Sequence, residues 1–444
     1  MMSMRRSLVA IGILLAVSEA LYLFLYAPGA QTPRMFLAVA LVNSGLYVLA
    51  WLLLVREDVA SSRGLILLVV LFGVLARVSL ISLEPVVSDD IYRYIWDGKV
   101  QSHGIDPYRY APDDPALSHL HSAMLPGKVN HPGMRTIYPP LAEWLFCATY
   151  SVTGESVAGF KVPLLLSEIA TIILLLLVLK ELKLPAKYVA LYALSPLPVM
   201  QFMIDGHIDA FAFPFLLLFL LLYRKRRLVP AFLCLGLSVI VKLYPLFLLP
   251  LVVKDERGRN RWFAALLVAA VLAAAYLPYL ILRSFPLESL GIYSQHWSAN
   301  GSVFSLIYLF LNNNQTAHIV SGLLTCAWVI GVIFVRGSFE ERAFLTLFGM
   351  FLLSPTVHPW YITWLAVLLP VAFRWSGLVF VALVNVSIVS VIYYTTSGIW
   401  DQPLWMFIAE YLPVYLLILA ESRKKGAHAR NEPVTSPWNE RTRT

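Results

Sequence analysis

Charge is scarce in this chain. Only 14% of its 444 residues are Asp, Glu, Lys or Arg, whereas 59% are hydrophobic. A soluble domain carries about a quarter charged residues, so a surface of this composition excludes a water-soluble globule. Cysteine is scarcer still. Cys147, Cys234 and Cys326 are scattered without metal-ligand spacing, and two lie inside apolar runs, as buried thiols do. An internal repeat is missing too, and with it the sequence sign that favours an inverted-repeat transporter. No stretch has the composition of a separate soluble domain.

Apolar runs fill the space. Mean hydropathy is +0.73, and segments of roughly 17–25 apolar residues, the length that crosses a bilayer as helix, recur along nearly the whole chain. The pattern predicts an all-α polytopic membrane protein. About 14 transmembrane or partly spanning helices are expected, near 7–27, 35–55, 63–83, 157–180, 187–203, 208–223, 228–241, 243–253, 262–282, 317–335, 342–355, 360–373, 376–395 and 403–420. The first apolar run is too long for a signal peptide and lacks a small-x-small site, so it reads as a retained helix.

Lys and Arg accumulate on the cytoplasmic side of membrane proteins. Arg5/Arg6, Arg56/Arg63, Lys180 to Lys187, Arg224 to Arg227, Lys254 to Arg261, Arg336/Arg342, Arg374 and Arg423 to Lys425 fall on one side together if 84–156 is a single extracytoplasmic excursion. The segment "YPPLAEWLFCATYSV" must then lie in the interface, with Pro139–Pro140 starting a helix that does not cross. Both termini fall inside. Residues 1–420 read as one membrane-embedded domain, and 421–444 as a basic tail, disordered and cytoplasmic, with Pro433 and Pro437. The net charge of +8 is explained by these connectors and this tail, and calls for no nucleic acid.

That topology puts the polar oddities on one face. Outside lie Asp89, Asp90, Tyr92, Arg93, Trp96, Asp97 and Lys99 in "SDDIYRYIWDGK", then Lys161 at the start of its helix. Asp205, His207 and Asp209 in "IDGHIDAF" follow, with Lys242, then His296, Trp297 and Asn300 in "YSQHWSANGS", and His358, Trp360 and Tyr361 in "SPTVHPWYITW". Ionisable groups at the membrane are costly and usually mark a site or pathway. Carboxylates, cations and aromatic rings at an interface suit an amphiphilic donor whose tail stays in lipid. A cation holds its phosphate, a carboxylate deprotonates an acceptor hydroxyl, and rings meet sugar faces.

Plainer readings exist for each group. Asp89 and Asp90 are favoured N-cap residues. Asp97 pairs with Arg93 one helical turn away, and Lys242 can snorkel to headgroups. Asp205, His207 and Asp209 can form a loop-stabilising cluster; as two acids and one histidine, they lack a specific metal-ligand pattern. His358 can bond backbone before Pro359, and His296 and Asn300 sit in an ordinary polar loop. A transporter or lipid-carrier flippase is the competing class, but it needs ionisable groups at the midplane between broken helices. The spans here hold few charges: Glu19, Arg77 and Glu168.

"SDDIYRYIWDGKVQSHGIDPYRYAP" followed by "TIYPPLAEWL", then "GHIDAFAFPFLLL", "VKLYPLFLLP", "HWSANGSVFSL" and "SPTVHPWYITW", resemble in order the polyprenol-phosphate-sugar-dependent glycosyltransferases of the C superfamily (GT-C). That class includes GPI mannosyltransferase catalytic subunits and mycobacterial phosphatidylinositol mannoside transferases. The resemblance implies a GT-C-like fold whose large first extracytoplasmic loop carries the catalytic carboxylate. It also implies inverting transfer of a hexose, mannose first, from a polyprenyl-phosphate carrier to a glycolipid or glycan acceptor, without cofactor or metal. Asp89 or Asp90 becomes the base, although the family pattern is Asp-x-Asp and here the acids are adjacent. Lys242 and His358, with Lys161, become phosphate contacts. The sugar and acceptor contacts fall to Tyr92, Arg93, Asp97, Asp205, His207, Asp209, His296, Trp297, Asn300, Trp360 and Tyr361. A compact chain of this kind suits a bacterial cytoplasmic membrane.

Overall fold

The structure, a computed structural model, describes residues 2–56 and 63–431. The tail beyond 431 therefore lies outside the described residues. Within them the chain is helical, without a named strand. It opens with α1 (Met2–Phe24), α2 (Pro33–Arg56) and α3 (Arg63–Ser79). The excursion holds α4 (Asp90–Ser102) and α5 (Pro140–Thr153). Then come α6 (Val157–Glu181), the short α7 (Ala190–Ala193) and α8 (Pro196–Met203), α9 (Asp209–Arg224), α10 (Leu228–Val239), α11 (Leu249–Asp255) and α12 (Arg259–Ile281). The last part has α13 (Glu288–His296), α14 (Ser302–Leu311), α15 (Asn314–Ile333), α16 (Phe339–Leu353) and α17 (Pro359–Leu368). It ends with α18 (Trp375–Leu383), α19 (Val389–Ser397) and α20 (Leu404–Asn431).

Among the described residues, six stretches are long and apolar enough to cross a membrane: Pro33–Val55, Val157–Glu181, Arg259–Ile281, Asn314–Ile333, Trp375–Ser397 and Leu404–Arg423. Other expected spans are shorter or interrupted. The one over 187–203 breaks into a 3-10 turn, α7 and α8, because Pro196 and Pro198 cannot continue the preceding turn. The broken pieces sit in the middle. α7, α8, α9 and α17 are buried on almost every side, with Tyr192, Met200, Phe213 and Trp364 fully enclosed. α12 and α15 instead show Leu266, Ile281, Leu323 and Ile330 on the outside, the apolar face a helix turns to lipid. α13 and α14 were not foreseen as elements, and α20 runs past 420 to Asn431.

Within the excursion, α5 starts as expected, with Pro139 at the N-cap and Pro140 in the first turn. α4 lies against it at Gly98, where a Cβ would come 2.4 Å from the Phe146 carbonyl oxygen. Only a glycine permits that approach.

At one end of the bundle the basic connectors close on acids. Arg224 binds Glu340, Arg226 binds Glu256 at 2.5 Å, Arg342 binds Asp255 and Lys225 approaches Glu181 at 3.8 Å. The ends of α6, α9 and α11 and the start of α16 are thereby tied together. α9 runs from Asp209 to Arg224, so Asp209 marks the opposite end.

Deep between α3, α6 and α7, the Arg77 Nε donates to Glu168 Oε2 at 2.8 Å, and its Nη1 donates to the carbonyls of Gly73 and Ala193. Tyr192 donates its hydroxyl to the same carboxylate. Both charged side chains are fully buried. Removing one partner leaves the other charge uncompensated, which costs about 3–5 kcal/mol. Arg77→Met is expected to lower the thermal unfolding midpoint in detergent clearly more than the double change Arg77→Met/Glu168→Leu.

Candidate active site

At the end marked by Asp209, five distant segments meet. The lead-in to α4 is held by Asp205, whose Oδ1 accepts the backbone N–H of Val86 at 2.8 Å and of Val87 at 3.1 Å. The turn then passes through Gly206 at φ +76°, where a Cβ would stand 2.4 Å from Ile91 Cδ1. The next residue, His207, is brought to face Asp90, with Nδ1 3.7 Å from Oδ2.

The two adjacent aspartates do not cap α4 with their side chains. Asp89 occupies the N-cap position without a side-chain cap bond. Both Oδ1 atoms instead accept from the amide of Asn130, at 2.8 Å each. Asp89 is exposed and Asp90 half-buried. Burial, reinforced by the neighbouring Asp89 charge, raises the Asp90 carboxyl to about 6.

Trp360, on the first turn of α17, is stacked between two imidazoles. The His207 ring lies 3.8 Å from it and the His358 ring 4.3 Å, both nearly parallel. Burial, with the Lys242 ammonium near by, pushes His207 well below its ordinary range and His358 down to about 3. Both rings are neutral at physiological pH, so Lys242 is the cation of this group. It stands 3.5 Å from Asp209 Oδ2 and 5.3 Å above the Tyr361 ring. Asp209 is steadied by Trp364, whose Nε1 donates to Oδ1 at 2.7 Å. The Tyr361 and Tyr293 hydroxyls share a 2.7 Å hydrogen bond, and Tyr293 stacks on Trp297.

Several polar atoms here are buried and have no hydrogen-bond partner: both ring nitrogens of His207, Asp209 Oδ2 and Asp205 Oδ2. Buried polar groups are almost always paired, so a cluster of orphans marks a place where a polar ligand belongs. A ligand oxygen between Asp90, His207 and Lys242 would find a proton acceptor, a neutral ring and a positive charge. Among the described residues, no three His, Cys, Asp or Glu side chains are grouped to hold a metal ion.

Other predicted residues sit apart. Lys161 is buried beside this group and donates to the Leu83 carbonyl at 2.5 Å. Arg93 grips Asp97 through Nε at 2.8 and 2.9 Å and reaches the Met134 carbonyl. Burial raises the carboxyls of Asp97 and Glu143, and Glu143 is held by Thr136 and Gln101. Tyr92 lies between Glu84 and Lys128. His296 is exposed, bonded to its own helix at the Ile292 carbonyl. Asn300 is buried, its amide donating to Glu410 of α20 at 2.8 Å. Asn130, Tyr293 and Trp364 were missed, since nothing in "KVNHPGM" or a lone aromatic in a helix marks them out.

Residues 7–254, over half the chain, match the MptA_B family, alpha-(1->6)-mannopyranosyltransferase, N-terminal domain. This chain belongs to that family. The matched residues include Asp89, Asp90, His207, Asp209 and Lys242, whereas His358 and Trp360 lie beyond them. The expected mannosyltransferase activity class thus holds, and the protein is a membrane glycosyltransferase; the transporter alternative gives way. No curated protein matches the chain. Among solved structures it is similar to the crystal structure of ArnT from Cupriavidus metallidurans bound to undecaprenyl phosphate. The identity is 15% over 81% of this chain and 72% of that one, with a TM-score of 0.46.

The turn at Gly206 decides whether this member of the mannopyranosyltransferase family can bring His207 to Asp90. Gly206→Val adds left-handed strain, which costs about 1–3 kcal/mol, and drives a side chain into Ile91. A lowered melting temperature together with strongly reduced transfer is expected, whereas Gly104→Ala, at a positive φ facing open space, tests the strain alone.

Proposed function

We propose that the protein transfers mannose from a polyprenyl-phosphate carrier to a hydroxyl of a glycolipid or glycan, with inversion, at the extracytoplasmic face of the membrane. The observation that carries this reading is the grouping of Asp90, His207 and Lys242, with both ring nitrogens of His207 buried and free of hydrogen bonds. The family supplies the mannosyl chemistry. The basic connectors gathered at the far end support the sidedness, by the rule that such residues stay in the cytoplasm.

In the proposed step the acceptor hydroxyl gives its proton to Asp90 while its oxygen bonds to C1 of the mannose. The C1–O bond to phosphate breaks from the opposite face, and polyprenyl phosphate departs with the bonding pair. Lys242 meets the charge that develops on the leaving phosphate, and the neutral ring of His207 bonds a phosphate or sugar oxygen. Asp90 is the better base of the pair because it faces His207 and is partly withdrawn from solvent, whereas Asp89 is exposed. The raised carboxyl favours proton acceptance near neutral pH. Trp360 and Tyr361 offer ring faces to the sugar.

Replacing both Asp89 and Asp90 by Asn should abolish transfer while membrane insertion and melting temperature persist. Mass spectrometry of lipid products from purified enzyme and a panel of polyprenyl-phosphate sugars reads this directly, and turnover by the double variant would refute the role. The pH dependence has a fixed sign. A base works only when ionised, so kcat/KM should fall as pH drops through about 6 and level off above it. Because the Asp89 charge helps hold the Asp90 carboxyl up, Asp89→Asn should move that acid limb to lower pH.

A further inference from the structure

A cavity opens at the same end of the bundle, beside the candidate active site. Its volume is about 390 Å³, within the roughly 300–1,000 Å³ typical of small-molecule sites. Ser298, Phe304, Ser305, Tyr308, Asn314 and Gln402 contribute to its wall. None of the lining side chains carries a charge, in a chain whose net charge is +8. Hydroxyls and carboxamides beside an accessible ring (Tyr308 is 44% exposed) are the lining that suits a neutral, polyhydroxylated molecule. A phosphate would find no cation there.

The wall is built on the segment that also forms the candidate active site. Ala299 donates to the Pro355 carbonyl at 3.0 Å and accepts from the Val357 N–H at 2.7 Å. The first of these segments leads back to Trp297 and the second on to His358. Asn300, between two lining residues, adopts φ +55° and gives its N–H to the Gln402 side chain at 3.2 Å. Its own Oδ1 is buried without a partner.

We propose that this pocket binds an uncharged saccharide unit of the acceptor, separate from the mannose being transferred and from its phosphate. The inference rests on the glycosyltransferase reading and deepens it. The rigid pairing of 299 with 356–357 fixes the distance between a unit held here and the reacting hydroxyl near Asp90.

Purified protein in nanodiscs, titrated with α-(1→6)-mannotriose, tests this. One arm has the trisaccharide free in solution; the other carries it on an alkyl anchor within the disc. Saturable binding is expected in at least one arm. Binding to the anchored form alone assigns the saccharide to a glycolipid, and binding in both arms admits a soluble glycan. Tyr308→Ala, at a side chain open to solvent, and Ser305→Phe, which fills the cavity, should each weaken binding by up to about tenfold, as loss of a contact such as a hydrogen bond does. Both should leave the melting temperature near that of the parent. The Asp89→Asn/Asp90→Asn double variant should bind as the parent does, so binding is read independently of transfer. No saturable binding in either arm, or unchanged affinity in Tyr308→Ala, overturns the pocket even where transfer is normal. A double variant that still transfers overturns the catalytic assignment and leaves the pocket standing.

Discussion

Asp205 accepts two successive backbone N–H groups, those of Val86 and Val87, and so fixes the course of the chain from α3 into α4. Its carboxyl is fully buried, and burial raises it to about 7 even against those two donors. Next to it, Gly206 takes the backbone through a conformation open to glycine and lets Ile91 close in. One turn thereby sets both the position of Asp90 and the position of the ring that faces it. Without that clamp the lead-in 84–88 would be a surface loop free to move, and the two carboxylates with it.

The two ends of the bundle treat charge differently. At one, arginines and acids satisfy each other: Arg224 with Glu340, Arg226 with Glu256, Arg342 with Asp255. At the other, His207, Asp209 and Asp205 keep buried atoms without a hydrogen bond, Asp209 Oδ2 having only the Lys242 ammonium 3.5 Å away. Charge neutralisation is enough to account for the first arrangement. The second carries an unmet polar demand, of the sort that functional sites hold and that packing alone does not maintain.

Aromatic residues give the site its shape. Trp360 is clamped between His207 and His358, and Trp364 one turn later bonds Asp209. α17 therefore presents one face to both the histidine pair and the lysine–aspartate pair. A helix buried on nearly every side is a rigid base for such a constellation, more exact than a loop would be.

The membrane character and most helix positions were legible because lipid demands long apolar runs and the prolines, acids and basic connectors punctuate them. The local pattern marked Asp89, Asp90, His207, Lys242 and His358 as unusual, since an ionisable group beside an apolar helix is costly wherever it lies. It had no means of telling which of them meet. Asn300 and His296 stood out by composition as strongly as His207, yet one is buried against Glu410 and the other bonds its own helix. Asn130 carried no local signal and holds both aspartates. The sequence by itself determined the class of protein and the inventory of polar groups, because hydropathy and charge act residue by residue. Only the tertiary structure decided that Asp90 faces His207 and that Lys242 sits with Asp209, because those distances depend on how α4, α9 and α17 pack, and packing is a property of all of them together.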